Sequence, residues 1–93
     1  MPNPAILVID DDPSITTTLS SFLKAKGYDV TVANDSDEAL EVVATGRHRL
    51  ILCDIYIDRL TGLDILRAAR ERDPDTRVIL MTARGSVGTT VEA

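Results

Sequence analysis

One cysteine and one histidine are all that the 93 residues hold of the two commonest soft metal ligands. Cys53 stands inside an apolar run and is expected as a packed thiol, not a nucleophile. His48 lies in a polar turn without a partner in sequence and is expected at the surface. No apolar stretch approaches the roughly 18 residues that a membrane span needs. The start, MPNPAILVIDDD, has neither a basic leader nor a cleavage site, so no secretory signal is visible and the cytoplasm is the expected compartment. A basic excess is lacking too. Ten Lys and Arg against fifteen Asp and Glu leave a net charge of −5, which argues against a nucleic-acid surface. Arg47, Arg49, Arg67, Arg70, Arg72 and Arg77 are scattered and read as solvated faces. No linker, repeat or low-complexity segment divides the chain, so residues 1–93 form one domain. A domain of this size buries only about 60–65% of its unfolded surface, viable but marginal.

What is present is a strict alternation. Four apolar runs recur, Ala5–Ile9, Tyr28–Val32, Leu50–Cys53 and Val78–Met81. The first, third and fourth show no polar alternation, as in parallel strands buried on both faces. Between them lie helical segments. Asp12 can cap the first, with Pro13 at its first position and Gly27 as its stop; Ile15, Leu19, Phe22 and Leu23 share one face. The second spans about 36–45, with Ala39, Leu40 and Val43 inward and Gly46 after it. Thr61 and Asp64 have capping-box spacing at the start of the third, in which Leu63, Leu66 and Ala69 pack and which Pro74 follows. A fourth begins near Ser86. Alternation of this kind implies right-handed βαβ units and a doubly wound parallel α/β sheet. In the order 2-1-3-4 the first and third strands are neighbours where the strand order reverses, the usual place for a ligand.

Acids end both of those strands. Asp10, Asp11 and Asp12 follow AILVI, and Asp54 closes LILCD. Brought into one pocket about 4–5 Å apart, each pair of charges costs roughly 3–4 kcal/mol at an effective dielectric near 20. Such a cluster needs a cation or raised pKa values, and an all-oxygen site suits Mg²⁺. A carboxylate can attack phosphorus without a general base, giving an aspartyl phosphate, provided a cation neutralises the phosphoryl oxygens. Thr82, closing VILM, is placed to hydrogen-bond such a group. Asp12 reads as the helix cap and stands apart from the other acids.

ILVIDDDPS, LILCDIYIDRLTGLDIL and VILMTARGS together resemble the three signature segments of response-regulator receiver domains of two-component signalling, in the right order along the chain. The resemblance implies a flavodoxin-like fold. It also implies Asp54 as phosphoacceptor, Asp11 as a direct Mg²⁺ ligand and Asp10 acting on the metal largely through water. The backbone carbonyl of Tyr56 would be a further ligand, Thr82 the phosphoryl sensor, and Gly62 the glycine opening the helix after the phosphorylation loop. The expected partner is a sensor histidine kinase. MTARGSVGTTVEA most resembles receivers attached to AAA+ transcription activators, which implies transcription control as the output.

Departures from the family pattern qualify this. Asp58 replaces a common proline, which predicts a less rigid loop, and Arg59 beside it can pair with it. The family's fifth strand and helix, with its lysine and aromatic switch residue, are not matched, and no lysine follows Lys26. Arg84 could replace part of that positive charge. If the sheet ends at its fourth strand, that strand is an open edge next to an apolar face, which predicts self-association. Shifting a two-state switch from 1:99 to 99:1 takes about 5.5 kcal/mol, more than one Thr82 contact supplies. A phosphorylation-independent interaction module of receiver shape is therefore the second reading. A haloacid-dehalogenase-type phosphatase using Asp10, Asp12 and Thr82 is the third, though it leaves Asp54 unexplained.

Overall fold

The computed structural model describes residues 4–81. Along the chain run β1 (Ala5–Ile9), α1 (Pro13–Ala25), β2 (Asp29–Ala33), α2 (Ser36–Val43), β3 (Leu50–Asp54), β4 (Tyr56–Ile57), β5 (Leu60–Thr61), α3 (Gly62–Arg72) and β6 (Arg77–Met81). Four of the strands form one parallel sheet in the order β2-β1-β3-β6. This is the expected 2-1-3-4 order. Its last strand becomes β6 because a short antiparallel hairpin, β4–β5, follows β3. The segment near Ser86 and residue Thr82 lie outside the described residues.

Period-two alternation within the strands sorts their side chains between two layers. Leu7, Ile9, Ile51, Cys53, Val78 and Leu80 face α2 and α3, where Ala39, Val43, Ile65 and Ala69 complete the larger core. Ile6, Val8 and Val30 face α1, against Leu19 and Leu23. Full burial of side chains such as Leu7, Ile9 and Ile51 stabilises the sheet by roughly 1.5–3 kcal/mol apiece.

The helix caps form as expected. Asp12 accepts from the backbone N–H of Ser14 at 2.9 Å. Thr61 and Asp64 exchange both capping-box bonds, Thr61 N to Asp64 Oδ2 at 3.0 Å and Asp64 N to Thr61 Oγ1 at 3.4 Å. The helix faces are rotated from expectation. In α1 the buried positions are Thr16 and Ser20, flanked by half-buried Leu19 and Leu23, and Phe22 is 59% exposed beneath the Lys26 ammonium. At about 100° per residue Phe22 lies roughly 110° from the centre of that stripe. Leu63 is likewise exposed, while Ile65, absent from the expected core, is fully buried. Leu40 is also exposed, on the margin of the stripe formed by Ser36, Ala39 and Val43. In α1 and α2 the buried stripe is built largely of small residues, Thr16 and Ser20 in one and Ser36 and Ala39 in the other, which hides the contact from a pattern of large apolar residues.

Two further expectations are corrected. β2 begins and ends one residue later than the apolar run, because the Tyr28 N–H is taken by the Leu23 carbonyl at the end of α1. His48 is buried, 6% exposed, with Nε2 2.9 Å from Thr31 Oγ1 in β2. The turn through Gly46, at φ +67°, folds the following residues back against the sheet, and a contact seventeen residues apart leaves no local trace.

Candidate metal centre

Strand register builds the site. Ile9 pairs with Cys53 across β1 and β3, so Asp10 and Asp54, one residue further on, leave the sheet level with each other. Carboxylate oxygens of Asp10, Asp11 and Asp54 all lie within 4.8 Å of one another. Asp10 is buried, Asp54 half-buried and Asp11 exposed, so the cluster opens to solvent on one side. Hydrogen bonds fix two of its members. The Asp10 N–H donates to the Ala33 carbonyl at 3.2 Å, and its Oδ1 accepts from the Asp12 N–H at 3.0 Å. Asp54 Oδ1 accepts from the Ile55 N–H at 2.8 Å.

Burial pushes the Asp10 carboxyl above its ordinary range; the Asp12 N–H opposes this, and the neighbouring Asp54 and Asp11 charges add to it. Three crowded carboxylates, one of them buried against its preference for charge, form a hard all-oxygen donor set that suits Mg²⁺. The donor chemistry fits the cation expected from the sequence. Cys53, beside Asp54, does not belong to it. Burial first, then the Asp54 and Asp10 charges, push that thiol up to about 12, and its S–H donates to the Asp54 carbonyl at 3.2 Å. It packs, as expected.

Asp12 is turned away from the cluster. Its Oδ1 accepts from both the N–H and the hydroxyl of Ser14, at 2.9 and 2.8 Å, and those bonds hold its carboxyl below the usual range. A site that needs Asp10 and Asp12 together is therefore not what this loop builds. Tyr56 opens β4 and is 73% exposed. Thr82 directly follows Met81, the residue paired with Asp54 across β3 and β6, and with Arg84 it lies outside the described residues.

The loop after Asp54 is tightly tied. At Gly62 an added Cβ would stand 2.3 Å from Leu80 Cδ2 and 3.1 Å from the Asp54 carbonyl oxygen, so α3 starts against the backbone of Asp54 itself. Asp58 takes φ +51° in the β4–β5 turn, a conformation that Asp tolerates better than most residues. Its expected partner Arg59 lies 3.9 Å away and also pairs with Asp37. Ser36, fully buried, donates to the Ile57 carbonyl at 2.9 Å and accepts from the Arg59 N–H at 3.1 Å. Through Ser36 the loop is tied to α2 at two points of its backbone. Ser36 and Asn34, which bonds the Asp10 carbonyl, were not legible as site residues. Both lie at the β2–α2 junction, more than twenty residues from the groups they hold.

Comparison with known proteins agrees with this geometry. The family described as response regulator receiver domain matches over residues 6–93. Transcriptional regulatory protein ZraR of Klebsiella oxytoca is 42% identical over 88 residues, 95% of this chain and 20% of that protein. The uncharacterized transcriptional regulatory protein YkoG of Bacillus subtilis is 39% identical over 82 residues, 88% of this chain and 36% of its own length. The chain thus spans between a fifth and just over a third of these curated relatives. The response regulator protein TrrA of Thermotoga maritima, solved in complex with Mg²⁺ and BeF, superposes with a TM-score of 0.79 at 33% identity. That match covers 88% of this chain and 71% of the other.

Proposed function

Because the chain belongs to the response regulator receiver domains, we propose that it takes a phosphoryl group onto Asp54 from a sensor histidine kinase and relays the change to an output element. The observation that carries this reading is the convergence of Asp10, Asp11 and Asp54 oxygens within 4.8 Å at the ends of β1 and β3.

Asp10, Asp11 and Asp54, with the Tyr56 carbonyl, would hold Mg²⁺. Bound there, the ion supplies the charge neutralisation that phosphoryl oxygens need during transfer. Asp54 has one oxygen held by the Ile55 N–H, which orients the carboxylate for attack by the other. That oxygen forms a bond to phosphorus as the bond from phosphorus to the donor's imidazole nitrogen breaks. In the same reading Thr82 would hydrogen-bond the phosphoryl group, and Arg84 would contribute positive charge. Asp54 is consumed and regenerated as a signal mark, so the domain is a phosphoacceptor and not a turnover enzyme.

The same reading covers residues 1–93 as one receiver domain in the cytoplasm, with transcription control as output, without nucleic-acid contact by this segment. Among the described residues no helix is long and apolar enough to cross a membrane. A second copy pairing along β6, an edge strand among the described ones, would be a further partner; light scattering that finds only monomer at high micromolar concentration removes it.

Incubation with Mg²⁺ and acetyl phosphate, followed by intact-mass measurement, tests the central claim. One added phosphoryl group is expected, lost in Asp54→Asn and when the metal is chelated. A folded sample that gains no mass would instead favour a phosphorylation-independent interaction module.

A further inference from the structure

We propose that Asn34 is a positioning residue for the acid cluster: its side-chain amide holds the β1–α1 turn in the shape that brings Asp10 and Asp11 to Asp54. This rests on the reading of those three acids as a cation site. Asn34 follows β2 directly and is half-buried. Its Nδ2 donates both hydrogens, one to the Asp10 main-chain carbonyl at 3.0 Å and one to Thr16 Oγ1 at 2.8 Å. The carbonyl accepts only, so the amide orientation is fixed by its partner. Thr16, 1% exposed, passes the link on by donating to the Pro13 carbonyl at 3.1 Å. The turn from Asp10 to Pro13 is therefore gripped at Asp10 directly by Asn34 and at Pro13 through Thr16. Asn34 is itself anchored, because its N–H donates to Glu38 Oε1 at 2.7 Å.

The chemistry of the turn explains the need. Three carboxylates gathered within 4.8 Å repel one another, and the force acts to splay the loop that carries two of them. Asp11 is exposed and lies between Asp10 and Asp12 in the chain, so its position follows from where those two residues are held. A neutral amide is suited to the task. It supplies two donors without adding a further negative charge to the cluster, which aspartate at this position would do, and without a cation that would compete with the metal. Groups that orient metal ligands from behind typically change metal affinity by 10–100-fold when removed.

The test is Mg²⁺ titration by calorimetry at fixed pH and salt, with melting in chelator recorded for each variant. Asn34→Ala is expected to weaken Mg²⁺ binding about tenfold. Thr16→Val, which removes the hydroxyl at nearly constant volume, should weaken it by a smaller factor, and Thr16→Ser should bind as the unaltered chain does. Asn34→Ala combined with Thr16→Val should be no worse than Asn34→Ala alone. Unchanged affinity in Asn34→Ala overturns the proposal, as does a Thr16→Ser variant as weak as Thr16→Val. If Asn34→Ala does not fold, the Thr16 pair decides in the same terms. Failure of the unaltered chain to bind Mg²⁺ would instead defeat the metal-site reading beneath it.

Discussion

Asp10 shows how one residue can be costly to the fold while belonging to the acid cluster. It is 5% exposed, carries the end of β1 into the pocket and faces two other carboxylates. Its carboxyl is raised chiefly by burial, so without a cation the charged form opposes folding. Asp10→Asn keeps the shape, and the amide oxygen can still accept from the Asp12 N–H. In chelator at pH 7 this variant should be more stable than the unaltered chain by about 1–2 kcal/mol, below the full repulsion of a close pair because Asp11 is solvated. In a domain of this size that raises the melting temperature by roughly 5–10 °C. With Mg²⁺ the order should narrow or reverse. A metal-free melting temperature that falls on substitution would show that Asp10 stabilises the fold.

At the scale of elements, the start of α3 is a tight junction. The capping box of Thr61 and Asp64 satisfies the first turn, and Gly62 lets that turn approach Leu80 and the Asp54 carbonyl closely. Gly62→Ala therefore cannot gain from helix propensity alone. The added carbon would force Leu80 or the Asp54 backbone to move, an overpacking that costs about 1–3 kcal/mol. Chemical denaturation should show that loss, and under the proposed function labelling of Asp54 by acetyl phosphate should slow along with it, because the displaced backbone carries the proposed acceptor. Unchanged stability would mean that Leu80 yields freely. Ser36 plays a related part from α2, holding the Ile57 carbonyl and the Arg59 N–H of the hairpin after Asp54. The Arg59–Asp37 pair beside it is exposed and adds little by itself.

Across the whole molecule, stability and pH are linked through groups at opposite ends of the sheet. His48 is held below the ordinary imidazole range, first by burial and then by the Arg47 charge, with Asp29 opposing. Among the described residues Nδ1 of its buried ring has no hydrogen-bond partner, so burial there favours the neutral ring. The unfolded chain thus binds a proton that the native state resists, and stability falls as pH drops through about 6.5 and below. Asp10 has the opposite sign: its raised carboxyl is relieved as it is protonated. Asp12 and Asp64 are held low by their caps, so their contribution is lost only as pH falls below the usual carboxylate range. Between pH 7 and 5.5 the melting temperature should decline, and His48→Gln should flatten that slope. Equal slopes in the two proteins would remove His48 as the cause.

The alternation of strands and helices, the caps at Asp12 and Thr61, and the acids at the ends of the first and third strands were all legible in the chain before folding. Those signals are local: an apolar run, a capping oxygen and a turn residue act within a few positions of one another. From them the doubly wound order followed, and with it the meeting of Asp10, Asp11 and Asp54. Packing of the folded chain settled what depends on distant partners. It rotated Phe22 and Leu63 outward, because the stripe facing the sheet in each helix is centred on small or unexpected residues. It buried His48 against Thr31, and it brought Asn34 to Asp10 and Ser36 to Ile57. A polar side chain in a loop looks the same in sequence whether water or a buried carbonyl takes its hydrogen bond. Only the closed fold chooses between them.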